Sequence, residues 1–132
     1  MSILIGLHVI RTLSEHPDVK GFVGDRIYPI VVPQGVDKYP YIVYDCSGGI
    51  GETTKDGNVD DTATVQMSVI SKSYEEALMI GQLVRYAFDG YTPDYPELSI
   101  RNTGGITYND EYIEALDAYA VNLSIEFRTI DK

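Results

Sequence analysis

The chain has 132 residues, 44% hydrophobic and 23% charged, which fits one globular domain over 1–132 and excludes a fibre or a disordered tail. Twenty acidic residues against ten basic ones leave a net charge of −10. That balance argues against gripping nucleic acid, whose phosphates are neutralised by Lys and Arg, and favours mutual repulsion between copies. Cys46 is the one cysteine, so an intrachain disulfide and a cysteine metal cluster are excluded.

Met1 to Ile10 is apolar, but it has no basic leader and no small-residue cleavage site, and it is too short to span a bilayer. It is expected to be a buried helix face, in a soluble protein that stays in the cytoplasm and has no membrane partner. Ile3, Leu7, Ile10 and Ser14 share one side of that helix, and Leu4, Val9 and Leu13 widen the stripe. Pro17 ends it, because the residue before a proline is pushed out of the α region. Asp18 to Val23 allows one further turn, closed by Gly24.

Arg26 to Pro29 reads as a short extended piece, and Val31 to Gly35 must turn. Tyr39 to Cys46 is dense in β-branched and aromatic residues and predicts a strand covered on both faces. In that run Cys46 is expected to be buried and inert. Ser47 to Asp61 turns glycine-rich and polar and reads as a long exposed loop, whose removal over 48–58 is expected to spare the fold and abolish association.

Thr62 to Ser71 alternates, with Ala63, Val65, Met67 and Val69 on one face, as a half-buried strand does. Ser73 and Glu76 form a capping box that opens a helix carrying Ala77, Ile80, Gly81, Val84, Ala87 and Phe88 on one stripe. Gly90 supplies its left-handed stop. Tyr91 to Glu97 is a loop, Leu98 to Arg101 and Ile106 to Tyr108 are two strand pieces, and Asn109 to Leu116 is an acidic connection. Tyr119, Val121, Leu123, Ile125 and Phe127 mark a closing strand with one wet face.

Helix, strands, helix, strands without βαβ alternation predicts an α+β fold. Two main helices pack on one face of a largely antiparallel (mixed) sheet of about four to five strands.

Catalytic signals are sparse. His8 and His16 lack the partners of a metal pair and are expected at the surface or its boundary. There is no G-x-S-x-G elbow, and Cys46 has no catalytic flank. Asp56-Gly57-Asn58-Val59-Asp60 begins like a calcium loop. Asp61 then stands where glycine is needed and Met67 where a bidentate glutamate is needed, so an acidic turn explains it without an ion. No catalytic residue, metal site or cofactor is therefore expected. Eleven tyrosines against three phenylalanines are the compositional oddity. Tyr91, Tyr95, Tyr108 and Tyr112 fall in expected loops, where they serve either as partner contacts or as caps on the sheet edge. The candidate contact residues are Gly49, Asp56, Asn58, Tyr91, Tyr95 and Tyr112.

The N-terminal helix, then Val23-Gly24-Asp25-Arg26-Ile27-Tyr28-Pro29, Pro33-Gln34-Gly35 and Tyr39-Pro40-Tyr41-Ile42-Val43-Tyr44, together resemble the phage tail completion, or tail terminator, family. The resemblance continues through Val65-Gln66-Met67-Ser68-Val69 and Ser73-Tyr74-Glu75-Glu76-Ala77 to Val84-Arg85 and weakens after Gly90. It implies a non-enzymatic subunit of the virion tail, made in the host cytoplasm, that closes into a hexameric ring. Its partners would be copies of itself, the tail tube protein and the head connector protein. DNA would thread the ring without sequence-specific contact. Another ring-forming neck protein, or a small acidic cellular binding module or enzyme, are the competing readings.

Overall fold

The computed structural model describes residues 2–53 and 59–131, with side chains placed for 3–47 and 62–130. A 3-10 turn, Ser2–Leu4, leads into α1 (Ile5–Glu15), which buries Ile5, His8, Val9, Thr12 and Leu13. Pro17 breaks the helix, but the chain restarts at once as α2 (Pro17–Val23). Proline at the first helical position is pre-set for this, and the His16 ring accepts the Val19 amide. Gly24, at φ 59°, turns the chain into β1 (Ile27–Pro29). Arg26 fixes that corner, donating to the carbonyls of Phe22 and Pro40 at 3.2 and 2.9 Å.

β2 (Tyr41–Thr53) and β3 (Val59–Ser71) then form a long antiparallel hairpin. α3 (Tyr74–Phe88) crosses back, β4 (Leu98–Ile113) runs along the edge, and β5 (Ala118–Asp131) returns between β3 and β4. The sheet order is β1-β2-β3-β5-β4, with β1 parallel to β2 and every other neighbour antiparallel. The α+β class, with helices on one face of a mixed five-stranded sheet, is as the sequence indicates.

One face of the sheet carries the core. Ile42, Val65, Met67, Val69, Leu123, Ile125 and Phe127 meet Ile5, Val9 and Leu13 of α1 and Ala77, Ile80, Val84 and Phe88 of α3. Gly81 is needed for the close approach of α3 to β5, since a Cβ there would stand 2.8 Å from Val121 Cγ1. A Gly81→Ala protein gains about 1 kcal/mol in helix propensity, yet overpacking costs about 1–3 kcal/mol. Val121 is β-branched and held in the middle of a strand, so overpacking wins. Urea unfolding should show a net loss of about 1 kcal/mol.

Four expectations are corrected. The loop foreseen over Ser47 to Asp61 is strand up to Thr53 and again from Val59: Gly48 to Thr53 pair with Thr64 to Val59. Backbone hydrogen bonding needs no side chain, so the glycines do not prevent it; their signature is the register shift between Cys46 and Gly48. Deleting 48–58 would therefore strip the neighbour from half of β3 and harm the fold itself. The pieces Leu98 to Arg101 and Ile106 to Tyr108 are one strand, whose Gly104-Gly105 lies within a bulge between Thr103 and Ile106. The acidic connection from Asn109 is that same strand up to Ile113, followed by a 3-10 turn, Glu114–Leu116. Edge position lets charged side chains point to water there.

The α3 cap also differs in detail. Ser73 Oγ accepts the Glu76 amide at 3.3 Å, but the Glu76 carboxylate accepts from the Ser71 hydroxyl instead. Ser71 in turn accepts the Ser73 amide, so a third residue relays the bond that a simple capping box makes directly.

Candidate assembly surfaces

The sheet face away from the helices is divided. Near the start of β5, Tyr41, Ile70, Ala118 and Ala120 form a second small cluster, packed by Tyr28, Val32, Tyr39 and Ile113. The face of β5 expected to be wet is thus dry at this end, because the turn residues after β1 and the tyrosines cover its alanines. Lys72 lies over the Tyr39 ring, 4.8 Å from its centroid.

Further along, the same face is open and polar. Ser68 donates to Asn122 Oδ1 at 2.6 Å, and Asn122 Nδ2 donates to Asn109 and Glu111 at 3.0 Å each. Strand register dictates this row, since Ser68, Asn122 and Asn109 are direct cross-strand neighbours on β3, β5 and β4. Gln66, Ser124 and Thr107 form the next row, and the two rows line a shallow groove of about 270 Å³. Such a face offers many amide and hydroxyl donors and acceptors beside the Glu111 carboxylate, which suits a wet, specific protein contact.

The tyrosines sort into separate places. Tyr74 of α3, Tyr112 of β4 and Tyr119 of β5 stack with centroids 5.4 Å apart from ring to ring. Tyr74 donates to Asp110 and Tyr112 to Asp117, and each carboxylate raises the pKa of its phenol. Tyr91 and Tyr95 lie beyond the other end of α3, so Tyr112 is not part of their group. Tyr95 bonds His8 Nδ1 at 2.9 Å, and Tyr91 lies over the same imidazole at 5.8 Å. Arg11 sits over the Tyr95 ring and makes a two-bond ion pair with Glu97, which pins the segment before β4 onto α1. Gly49 lies in β2 opposite Ala63, while Asp56 and Asn58 fall outside the described residues.

His8 corrects the surface expectation, for it is wholly buried. Its ring is enclosed by Phe88, Tyr91, Tyr95 and Phe127, with centroids 5.3 to 5.8 Å away. Nδ1 has the hydroxyls of Tyr95 and Thr12 as neighbours, while Nε2 has no hydrogen-bond partner. Burial lowers its pKa to about 4. Position 8 sits between Ile5 and Leu13 on the buried stripe, the signal that would have placed it inside. Cys46 departs from expectation in the opposite sense and is exposed, because β2 beyond Tyr44 runs out past the cover of the helices. Among the described residues, no group of three or more His, Cys, Asp or Glu is placed to hold a metal ion, and no helix is long and apolar enough to cross a membrane.

Sequence reasoning missed two apolar surfaces. Ile30 and Val31, just past β1, are 77% and 68% exposed. On the outer side of α3, Leu78, Met79 and Tyr86 are also exposed. Leu78, Gln82 and Arg85 join Tyr108, Val121 and Leu123 in lining a groove of about 130 Å³ between α3 and the β4 edge. The expectation that fully assigned the α3 stripe to the core is right for its buried side, and the outer side carries the surprise.

No family model matches the sequence, and no curated protein matches it in sequence. Its fold matches solved structures, among them a chain of the virion of a native gene transfer agent particle. That match has a TM-score of 0.71 and 16% identity, covering 92% of this chain and 91% of the other. At that identity the likeness shows a shared fold over the matched span.

Proposed function

We propose that the chain is a structural component of a phage-like particle, a tail completion protein whose copies close into a ring at the head-proximal end of the tail tube. The observation that carries this is the end-to-end fold likeness to a virion protein, which agrees with the sequence resemblance noted above. The surfaces support it. Exposed apolar side chains on α3 and after β1, and a polar face on β3, β5 and β4 rich in amides and hydroxyls, serve as contact surfaces in a protein whose net charge of −10 otherwise keeps copies apart.

The mechanism is geometric. Head-to-tail contacts form a closed ring when the rotation between neighbours divides a full turn. A ring with one face shaped for the tube and the other for the head connector removes the next docking site and so ends tube growth. The acidic surface lets DNA pass without being held. A neck-ring role draws on the same likeness and differs in what the ring binds.

Size measurement on concentrated protein with negative-stain imaging, with and without isolated tail tubes, tests the reading. Rings with a central hole that cap one end of the tubes are expected. Rings that ignore tubes and bind connectors favour the neck role, and a monomer at every concentration overturns both.

A further inference from the structure

Two of the exposed apolar features lie at opposite edges of one sheet. Ile30 and Val31 follow β1 at one edge, and the groove lined by Leu78, Gln82, Arg85 and Tyr108 abuts β4 at the other. Four inter-strand steps separate those edges, roughly 19 Å. A ring subunit needs this arrangement, a donor surface on one flank and an acceptor on the other.

The Ile30 turn is held in an unusual shape. Ile30 has φ 67°, a region β-branched residues avoid, and the Val31 amide donates to the Pro29 carbonyl at 2.7 Å across it. This is a γ-turn of the rare positive-φ kind. The Ile30 amide is itself tied to the Tyr44 carbonyl at 2.7 Å. The bonds fix the turn, while the two side chains gain almost no cover within the domain. Strain that presents an apolar knuckle to water points to a contact outside the chain.

Charge says which partner fits. Residues 27–36 carry no charge, and neither do residues 77–84 of α3, in a chain with net charge −10. Two copies of so acidic a protein approach at least cost where each presents an uncharged surface. Arg85, 5.6 Å from the Tyr108 centroid, gives the groove a cation at its rim, which further suits an acidic neighbour.

We propose that copies join head to tail, with the Ile30–Val31 knuckle of one seated in the α3–β4 groove of the next. This rests on the ring reading above. Val31→Asp blocks the knuckle and Leu78→Asp blocks the groove; both sites are exposed, so circular dichroism should show each variant folded. Each alone should lose self-association by about a hundredfold or more, the scale of a hot-spot residue. Mixed in equal amounts they should form one-to-one dimers and nothing larger, since each retains one intact surface. Rings from either variant, or a mixture that stays monomeric, would overturn the assignment while leaving the ring reading in place. A wild-type protein that never associates would overturn both. Ile30→Gly gives an independent readout: it relieves the positive φ, so the melting temperature should rise while association weakens about tenfold. A higher melting temperature with unchanged association also contradicts the proposal.

Discussion

A Phe88→Ala protein should lose about 3–5 kcal/mol of unfolding free energy, measured by urea denaturation at neutral pH. That is a large share of the roughly 5–15 kcal/mol that holds a small domain together. Phe88 has no exposed surface and packs edge-on against Phe127 and His8, with centroids 5.7 and 5.4 Å away. It therefore joins α3 to β5 and α1 at once. Truncation removes the transfer free energy of the ring and leaves a cavity that α3 cannot close, because Ile80, Gly81 and Val84 already hold the helix against the sheet. Phe88→Leu should cost less, since much of the volume is kept. A loss below about 1 kcal/mol for the alanine variant would mean that the aromatic cluster is not a packing centre.

Periodicity made most of this fold legible. The stripes of α1 and α3 and the alternation of β3 and β5 each mark a buried face, and burial of that face decides the element. Where no side chain is buried, the pattern carries no signal. β4 from Asn102 to Tyr112 is edge strand with exposed or half-buried residues throughout, so its composition resembles a connection although its backbone is fully paired. Gly48 to Thr53 likewise pair with β3, although their glycines leave no alternating pattern in the sequence. His8 is the reverse case: its residue type suggests water, while its place on the α1 stripe requires burial. The contact surfaces were least legible, because an exposed Leu78 or Ile30 becomes visible only when the fold shows that no neighbour covers it. The tyrosines divide between both readings, Tyr95 anchored beside His8 and Tyr108 exposed at the β4 edge.

Acid should unfold this protein in a way that depends on one side chain. The His8 pKa falls from its ordinary 6.5 to about 4 in the folded chain, because the charged imidazole would be desolvated. Between those values the unfolded chain binds the proton and the folded chain does not, so stability falls as pH falls. Above pH 6.5 neither state is protonated and the contribution is flat. The loss begins near pH 6.5 and is complete below about 4, where it reaches about 3 kcal/mol. The groups facing the ring offer little to offset a charge: Phe88 of α3 and Phe127 of β5 are apolar, Thr12 and Tyr95 present hydroxyls, and Arg11 stands beyond Tyr95 with its own charge engaged by Glu97. A His8→Gln protein keeps a polar group near Tyr95 but cannot take up the proton. Its unfolding free energy should be lower at pH 7 and nearly level between pH 6.5 and 4.5 once the carboxylates common to both proteins are subtracted. If the two proteins lost stability in parallel over that range, the imidazole would not be the group that titrates.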